Sequence, residues 1–326
     1  MGVFLVIIRE TYLGINMPAY QVKRSIVINK PIADVKSSLI DFRQWPIWSP
    51  WLIMDPESQL NYSETQSQVG ASYDWDGTLV GAGEMVLEEI TDHQLAMNLQ
   101  FKRPFTSTAK VFFELEEQDQ TSTRVTWIMN SHFPLLLFFV AKKIKAHIGM
   151  DYERGLKMLK DYLETGTVSS KVQIEGLTKI QQQHFIGIER TCAMGDISQV
   201  IADDFSYLFK YIEEQDIPLT SAPFSIVKSN DVVNQMSSFV TAIPVNQEME
   251  VTPPLIAGFL KEQNGLKVTH TGFHEHLANA WSTAKAYSGN QRIKTRRNPV
   301  GYVFYLNDPA NIDKADLLTE VILPIK

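Results

Sequence analysis

Apolar and polar side chains alternate from Val22 to Ile28, with Val22, Arg24, Ile26 and Ile28 on one side and Lys23, Ser25 and Val27 on the other. This is the period-two pattern of a strand. Lys30-Pro31-Ile32-Ala33-Asp34 then opens a helix that continues through Leu39-Ile40, with its proline in the first turn, where the missing N–H is no loss. Further strand patterns occupy residues 71–76, 83–90, 94–101, 107–115 and 123–130, divided by turn residues such as Asp76-Gly77 and Glu117-Gln118-Asp119. Over residues 144–163 the period lengthens. Ile144, Ile148, Tyr152, Leu156, Leu159 and Leu163 recur every three or four positions and mark one face of a long helix. A sheet of this size set on one long carboxy-terminal helix predicts an α+β layered fold. From Glu164 to Ser170 a glycine stop and small polar residues follow, so a domain boundary is expected there.

Beyond that boundary one pattern occurs twice. The first copy runs from a strand-like Phe185-Ile186-Gly187-Ile188 into an amphipathic helix over 205–212, turns at Pro218 and Pro223, and closes on Ala242-Ile243-Pro244-Val245. The second starts at Leu266-Lys267-Val268-Thr269-His270-Thr271-Gly272 and enters a helix around Leu277 and Trp281. It turns at Asn298-Pro299, continues as Tyr302-Val303-Phe304-Tyr305 and closes on Val321-Ile322-Leu323-Pro324-Ile325. Two strand–helix–strand–strand units in one domain are expected to leave a cleft at their junction, a preferred kind of ligand site.

Composition narrows the function classes. A chain of 326 residues suggests two domains, each able to bury its own core. A hydrophobic share of 44% and a charged share of 21% are those of a folded globular protein. The net charge of -7 argues against a dominant nucleic-acid surface. Cys192 is the single cysteine, which rules out an intrachain disulfide and suits a reducing compartment. Residues 1–17 read as an N-terminal apolar extension. Its run Val3–Ile8 is far shorter than the roughly 20 residues a bilayer span needs, and no basic residue precedes it as in a signal peptide. The run reads either as the remnant of a longer anchor or as sequence upstream of a start at Met17. A soluble, cytoplasmic protein is expected, with a membrane-anchored form left open.

Trp45-Pro46-Ile47-Trp48-Ser49-Pro50-Trp51, followed by Asp55-Pro56 and Val69-Gly70-Ala71-Ser72-Tyr73-Asp74-Trp75, resembles the SRPBCC superfamily (START-like, polyketide-cyclase type) over residues 18–165. The resemblance implies a helix-grip fold, an antiparallel sheet wrapped around the long helix, with an apolar cavity that binds a hydrophobic small molecule. Only some relatives are enzymes. The expected cavity residues are Trp48, Trp51, Tyr73, Trp75, Trp127 and Met129. Tyr73 and Trp75 share one side of a strand, as do Trp127 and Met129. Such side chains either line a cavity with adaptable area or simply fill a core. Asp74 and Asp76, across a turn beside Gly77, read as turn chemistry rather than catalysis.

Residues 171–326 resemble the GyrI-like family, the AraC-type effector-binding domain. The matching elements are Thr271-Gly272-Phe273 leading into Leu277-Ala278-Asn279-Ala280-Trp281, then Tyr305-Leu306-Asn307-Asp308-Pro309, then residues 318–325. The resemblance implies a duplicated module cradling small, often cationic or aromatic, effectors in a central groove, here formed by Trp281, Val303, Tyr305, His274 and Phe239. Relatives occur fused to DNA-binding domains, as stand-alone binding proteins and in a few cases as hydrolases. Members that bind cationic drugs carry a glutamate two residues before the tyrosine, where this chain has Val303. A buried carboxylate attracts a cation because it is otherwise unpaired, whereas valine offers shape alone. The groove is therefore expected not to select cations in that way and to lack hydrolysis that depends on the acid. Tyr305 shares a strand face with Val303. His274 is a second departure, standing where the family usually has tyrosine.

His270, His274 and His276 invite a metal reading. Zinc needs three or four ligands converging at about 2.0 Å, and on a helix two positions two residues apart point about 200° from each other. No metal is expected, and no cofactor. Cys192 lacks a sequence-local activator. Gly81-Ala82-Gly83 lies outside any strand–glycine-rich–helix unit. Arg292, Lys294, Arg296 and Arg297 read as a solvated loop, and no helix-turn-helix signature is evident. The expected function is non-catalytic binding or sensing of hydrophobic or aromatic small molecules, one cavity per domain. A transcription-linked role, beside a regulator partner and without direct nucleic-acid contact, fits that expectation. The alternative is a cyclase- or hydrolase-like enzyme using Tyr305 and Trp281, or Asp74 and Tyr73.

Overall fold

The computed structural model describes residues 19–132 and 140–326. The expectations for residues 1–17, with Val3–Ile8 and Met17, lie outside the described residues. The chain divides into two compact units between Val168 and Ser169. Among the described residues no helix is long and apolar enough to cross a membrane.

The first unit runs β1 (Ala19–Ile28), α1 (Ile32–Ile40), two short helices α2 (Trp45–Trp48) and α3 (Pro50–Met54), and β2 (Gln59–Tyr62). It continues with β3 (Ser72–Gly77), β4 (Gly81–Ile90), β5 (Gln94–Arg103), β6 (Ser107–Asp119), β7 (Ser122–His132) and α4 (Ala141–Thr165). Its seven strands form one antiparallel sheet in the order β1-β7-β6-β5-β4-β3-β2. β1 joins the far side of the sheet by pairing with β7, Val22 opposite Met129. The alternation seen in the sequence turns Val22, Tyr73, Trp75, Met85, Leu99, Val111 and Met129 into one core. α4 buries Tyr152, Leu156, Met158 and Leu159 and stops at Gly166, whose φ of 84° is left-handed and whose N–H caps the Tyr162 carbonyl.

The expected α+β helix-grip class is corrected by this architecture. The framework is two antiparallel sheets, of seven and eight strands, with few helices. α4 rests chiefly on β1, at the edge of its sheet, and less on α2, α3 and β7. The middle strands are covered instead by the aromatic turn of α2 and α3. The Trp45 ring lies 5.9 Å from Tyr73, 6.0 Å from Phe113 and 6.2 Å from Trp127. A sequence stripe shows that α4 has an apolar face but not what meets it. Three bulky indoles in a short turn supply the cover that a gripped helix would give.

The second unit contains β8 (Ser170–Ile180), β9 (Gln183–Ala193), α5 (Ile197–Glu214), β10 (Phe224–Asp231), β11 (Met236–Val245) and β12 (Leu255–Leu260). Then follow β13 (Gln263–Gly272), α6 (Ala278–Asn290), β14 (Gly301–Tyr305) and β15 (Leu318–Pro324). The eight strands form one antiparallel sheet ordered β12-β9-β11-β10-β14-β15-β13-β8. Around the central β10–β14 pair, β9-β11-β10 on one side is answered by β13-β15-β14 on the other. Across that centre Ser225 faces Val303 and Val227 faces Gly301.

Both helices cover the face that carries Ser225 and Val303. α5 seats Leu208 and Ile212 on Ile186, Ile188 and Ile243. α6 seats Ala280 and Ala284 on Leu266, Val268, Val321 and Leu323, its small residues letting the backbone lie close. Gly301 has the same role from the sheet side, because an added Cβ would come within 2.7 Å of the Trp281 ring. The opposite face buries Phe185, Phe224, Val240, Tyr302 and Ile322.

Candidate ligand-binding sites

The first unit holds a cavity of about 180 Å³ between the sheet, α3 and α4. Trp51, Tyr73, Trp75, Met85, Leu99 and Met129 give it apolar walls, and Tyr20, Ser131, Asp151 and Tyr152 a polar margin. β3 delivers Tyr73 and Trp75 from one face, and Gly83 on neighbouring β4 leaves room for the Trp75 ring, which an added Cβ would strike. Asp55, buried at the end of α3, accepts from the Leu79 N–H at 2.6 Å and the Val80 N–H at 3.2 Å. It ties the β3–β4 turn to the helix that carries Trp51.

The polar margin is mostly committed. Ser131 Oγ donates to the Thr108 carbonyl at 2.9 Å, and Asp151 accepts from Arg154 at 2.7 Å. Burial pushes the Tyr73 and Tyr152 hydroxyls well above the usual phenol range. Tyr20 is raised by burial too, with its Ser131 hydrogen bond opposing. All three therefore stay protonated at neutral pH and act as neutral donors.

Of the residues expected in this cavity, Trp51, Tyr73, Trp75 and Met129 line it. Trp48 and Trp127 do not; both are fully buried in the core. The Trp127 ring is stacked on Tyr152 at 4.1 Å and on Phe113 at 5.0 Å. Met85, Leu99 and Tyr152 were not anticipated. Strand alternation on β4 and β5 marks the first two, and the helical stripe marks the third. Asp74 accepts from Asn61 at 3.1 Å and Asp76 pairs with Arg103, so both act in the surface and turn of the sheet.

In the second unit the seam between the repeats gathers Tyr305, His274, Phe205 and Ser225. The Tyr305 ring meets Phe205 edge-on at 5.2 Å and His274 edge-on at 5.5 Å. Its hydroxyl lies 3.3 Å from Ser225 Oγ. Burial pushes Tyr305 up to about 12, with the Ser225 bond pulling back, and burial lowers His274. The seam thus presents a neutral phenol and a ring biased to neutral imidazole. Trp281 lies half-buried over Gly301, with Lys285 Nζ 5.9 Å from its ring. Val303 and Phe239 are buried on the same face, beneath the helices. Phe205 and Ser225 were not anticipated; Phe205 opens the helix pattern that the sequence shows.

Two polar clusters flank the seam. In the first repeat Asp204, 1% exposed, accepts from Arg190 at 3.0 Å and from Thr241 Oγ1 at 3.2 Å. In the second, Ser170 Oγ lies 3.0 Å from His270 Nε2 and accepts from Asn279 Nδ2 at 2.8 Å. Burial, then His276 and His274, pushes His270 down to about 4. Among the described residues no group of three or more His, Cys, Asp or Glu side chains is arranged to hold a metal ion. The Cys192 thiol is raised by burial and by Asp196 and Asp204, which keeps it protonated.

Residues 177–326 match the GyrI-like small molecule binding domain, and the second unit accordingly carries a GyrI-like domain. No curated protein matches the sequence. Among solved structures the chain is similar to EcmrR in a cryo-EM structure of the EcmrR-DNA complex in EcmrR-RPo, with 15% identity, 58% of this chain and 69% of that chain covered, and a TM-score of 0.42. Protein CV1439 from Chromobacterium violaceum is 13% identical over 44% of this chain and 96% of that chain, with a TM-score of 0.34. The Aha1 dimer from Colwellia psychrerythraea is 16% identical over 45% of this chain and 98% of that chain, with a TM-score of 0.34.

Proposed function

We propose that this chain is a two-site receptor for small hydrophobic or aromatic molecules, with no catalysis of its own. One site is the cavity of an SRPBCC-like domain over residues 18–165. The other is the seam of the GyrI-like domain over residues 171–326. The observation that carries the reading is the aromatic- and methionine-walled cavity of about 180 Å³. A space of about 150 Å³ with apolar walls holds a benzene-sized guest, so this one suits one or two fused rings. Methionine and indole walls adapt to shape without fixed polar demands. The polar groups nearby favour binding over chemistry: Asp151 is held by Arg154, and the tyrosines stay protonated. The chain then acts as a ligand sensor, beside a regulator if it works in transcription.

Isothermal titration of the full chain with a panel of mono- and bicyclic aromatic compounds tests this. Two sites of micromolar strength are expected, one weakened by Trp51→Ala and the other by Trp281→Ala. A panel that binds nowhere, or binding indifferent to both substitutions, refutes the receptor reading.

A further inference from the structure

Lys285 carries a positive charge beside the Trp281 indole. It stands one helical turn beyond Trp281 on α6, with Nζ 5.9 Å from the indole centroid. Among the described residues Lys285 forms no ion pair. Acids on the neighbouring elements are engaged elsewhere or exposed. Asp204 is held by Arg190 and Thr241, Glu189 by Lys228, and Glu275 is exposed on the turn before α6. Val303, not a carboxylate, occupies the sheet between the two helices. Desolvation by its surroundings lowers the Lys285 pKa, while the side chain as a whole stays exposed. The ammonium beside the indole has no counter-ion among the described residues, so a charge-assisted pair with an anion is open to it.

The rest of the seam is aromatic and neutral. Phe205 and Phe209 follow one another on α5 at 5.9 Å, Phe205 meets Tyr305, and Trp281 lies over Gly301 on the other wall. The Tyr305 hydroxyl and Ser225 add a neutral polar pair. Rings offer broad faces to a planar guest, and Lys285 places a charge beside the indole.

We propose that this seam selects a planar aromatic carboxylate, its rings lodged among Phe205, Tyr305 and Trp281 and its carboxylate on the Lys285 ammonium. The inference rests on the reading of the seam as a ligand site and adds the charge of the guest. An aromatic cation meets an unopposed positive charge in the same place and is disfavoured.

Three probes of one shape test it on the full chain by isothermal titration: 2-naphthoate, 2-naphthamide and 2-naphthylmethylammonium. The carboxylate is expected to bind at least tenfold tighter than the amide, and the ammonium weakest. Lys285→Met, which keeps the stem, should bring the carboxylate down to the affinity of the amide and leave the amide unchanged. Lys285→Arg should keep the preference, and Lys285→Glu should turn it toward the ammonium. Lys285 is exposed, so unchanged melting temperatures are expected for all three variants. Equal binding of carboxylate and amide, or an unmoved carboxylate affinity in Lys285→Met, overturns the charge assignment. The seam reading survives that result if Trp281→Ala still weakens both probes. If neither probe responds to Trp281→Ala, the seam reading falls and the charge assignment with it.

Discussion

Replacing Ala109 by leucine asks whether the cavity of the first unit is usable space. Ala109 lies on β6 opposite Leu99 and borders the cavity of about 180 Å³. Leucine brings three more carbons. At about 30 Å³ each, the volume a water holds in the liquid, they fill about half of that space. The remainder falls below the roughly 150 Å³ that accepts a benzene-sized guest. At about 0.8 kcal/mol for each buried carbon the variant gains up to about 2.4 kcal/mol, or about 5–10 °C in melting temperature for a unit of this size. The assay is thermal unfolding of the full chain, paired with titration of a bicyclic aromatic ligand. Wild type should gain about 2.7 kcal/mol at 100 times the dissociation constant. The variant should melt higher without ligand and lose one binding site in the titration. A variant that melts several degrees lower refutes the reasoning, since overpacking a filled core costs about 1–3 kcal/mol. Retention of both sites at full affinity refutes it too, by placing the ligand elsewhere.

Three further outcomes follow from the second unit. Gly272 has a φ of 130°, and an added Cβ would strike the Ser169 carbonyl; Gly272→Ala should cost about 2–3 kcal/mol in urea unfolding. Asp204→Asn removes the charge that Arg190 and Thr241 share and should cost about 1.5–3 kcal/mol, a loss that shrinks in an Arg190→Met background. His270 has a pKa of about 4 in the folded chain against about 6.5 unfolded. As pH falls from about 6.5 toward 4, the unfolded chain takes up a proton that the folded chain refuses, so stability drops by up to about 3 kcal/mol. Urea midpoints at pH 7 and pH 4.5 should differ accordingly in wild type, and by less in His270→Gln.

The strands whose faces differ in polarity were legible in the sequence. β1, β3 and β6 carry clear alternation, because one face of each is buried and the other wet, whereas β7 buries Val125 through Met129 on both faces and is marked by its apolar run. The strands that escaped notice lie at sheet edges. β2 has four residues, none of them buried, and β12 has only six. β8 is interrupted by Gly176 at a φ of 88° and presents Leu177 to solvent, 68% exposed, so its apolar rhythm is broken by a register shift against β13. The aromatic residues of the cavity were named with partial success for a related reason. Alternation tells which side of β7 Trp127 takes, but the layer inside that side is two rings deep. Trp127 is sandwiched by Phe113 and Tyr152, while Met129 on the same face reaches the opening. In the second unit the same rule put Val303 and Tyr305 on one face, and only packing separates the buried valine from the half-buried tyrosine.

The two repeats have diverged in how completely they satisfy their own polar groups, and that divergence bears on where binding takes place. Beneath α5 the Asp204 carboxylate is fully used by Arg190 and Thr241, and the wall above it is plain phenylalanine. Beneath α6 the linkage is neutral, through Ser170, His270 and Asn279. There His270 Nδ1 and Thr319 Oγ1 are buried without a hydrogen-bond partner, on residues that face each other across β13 and β15. The wall above carries Lys285 without a counter-ion. A fold that met only structural demands would gain by satisfying these groups, as its first repeat does. Local rules broken on one side of an otherwise symmetric sheet are the mark of a site kept for something other than stability. The first repeat supplies a closed wall, and the second keeps its unsatisfied groups beneath and beside the wall that the proposed guest would meet.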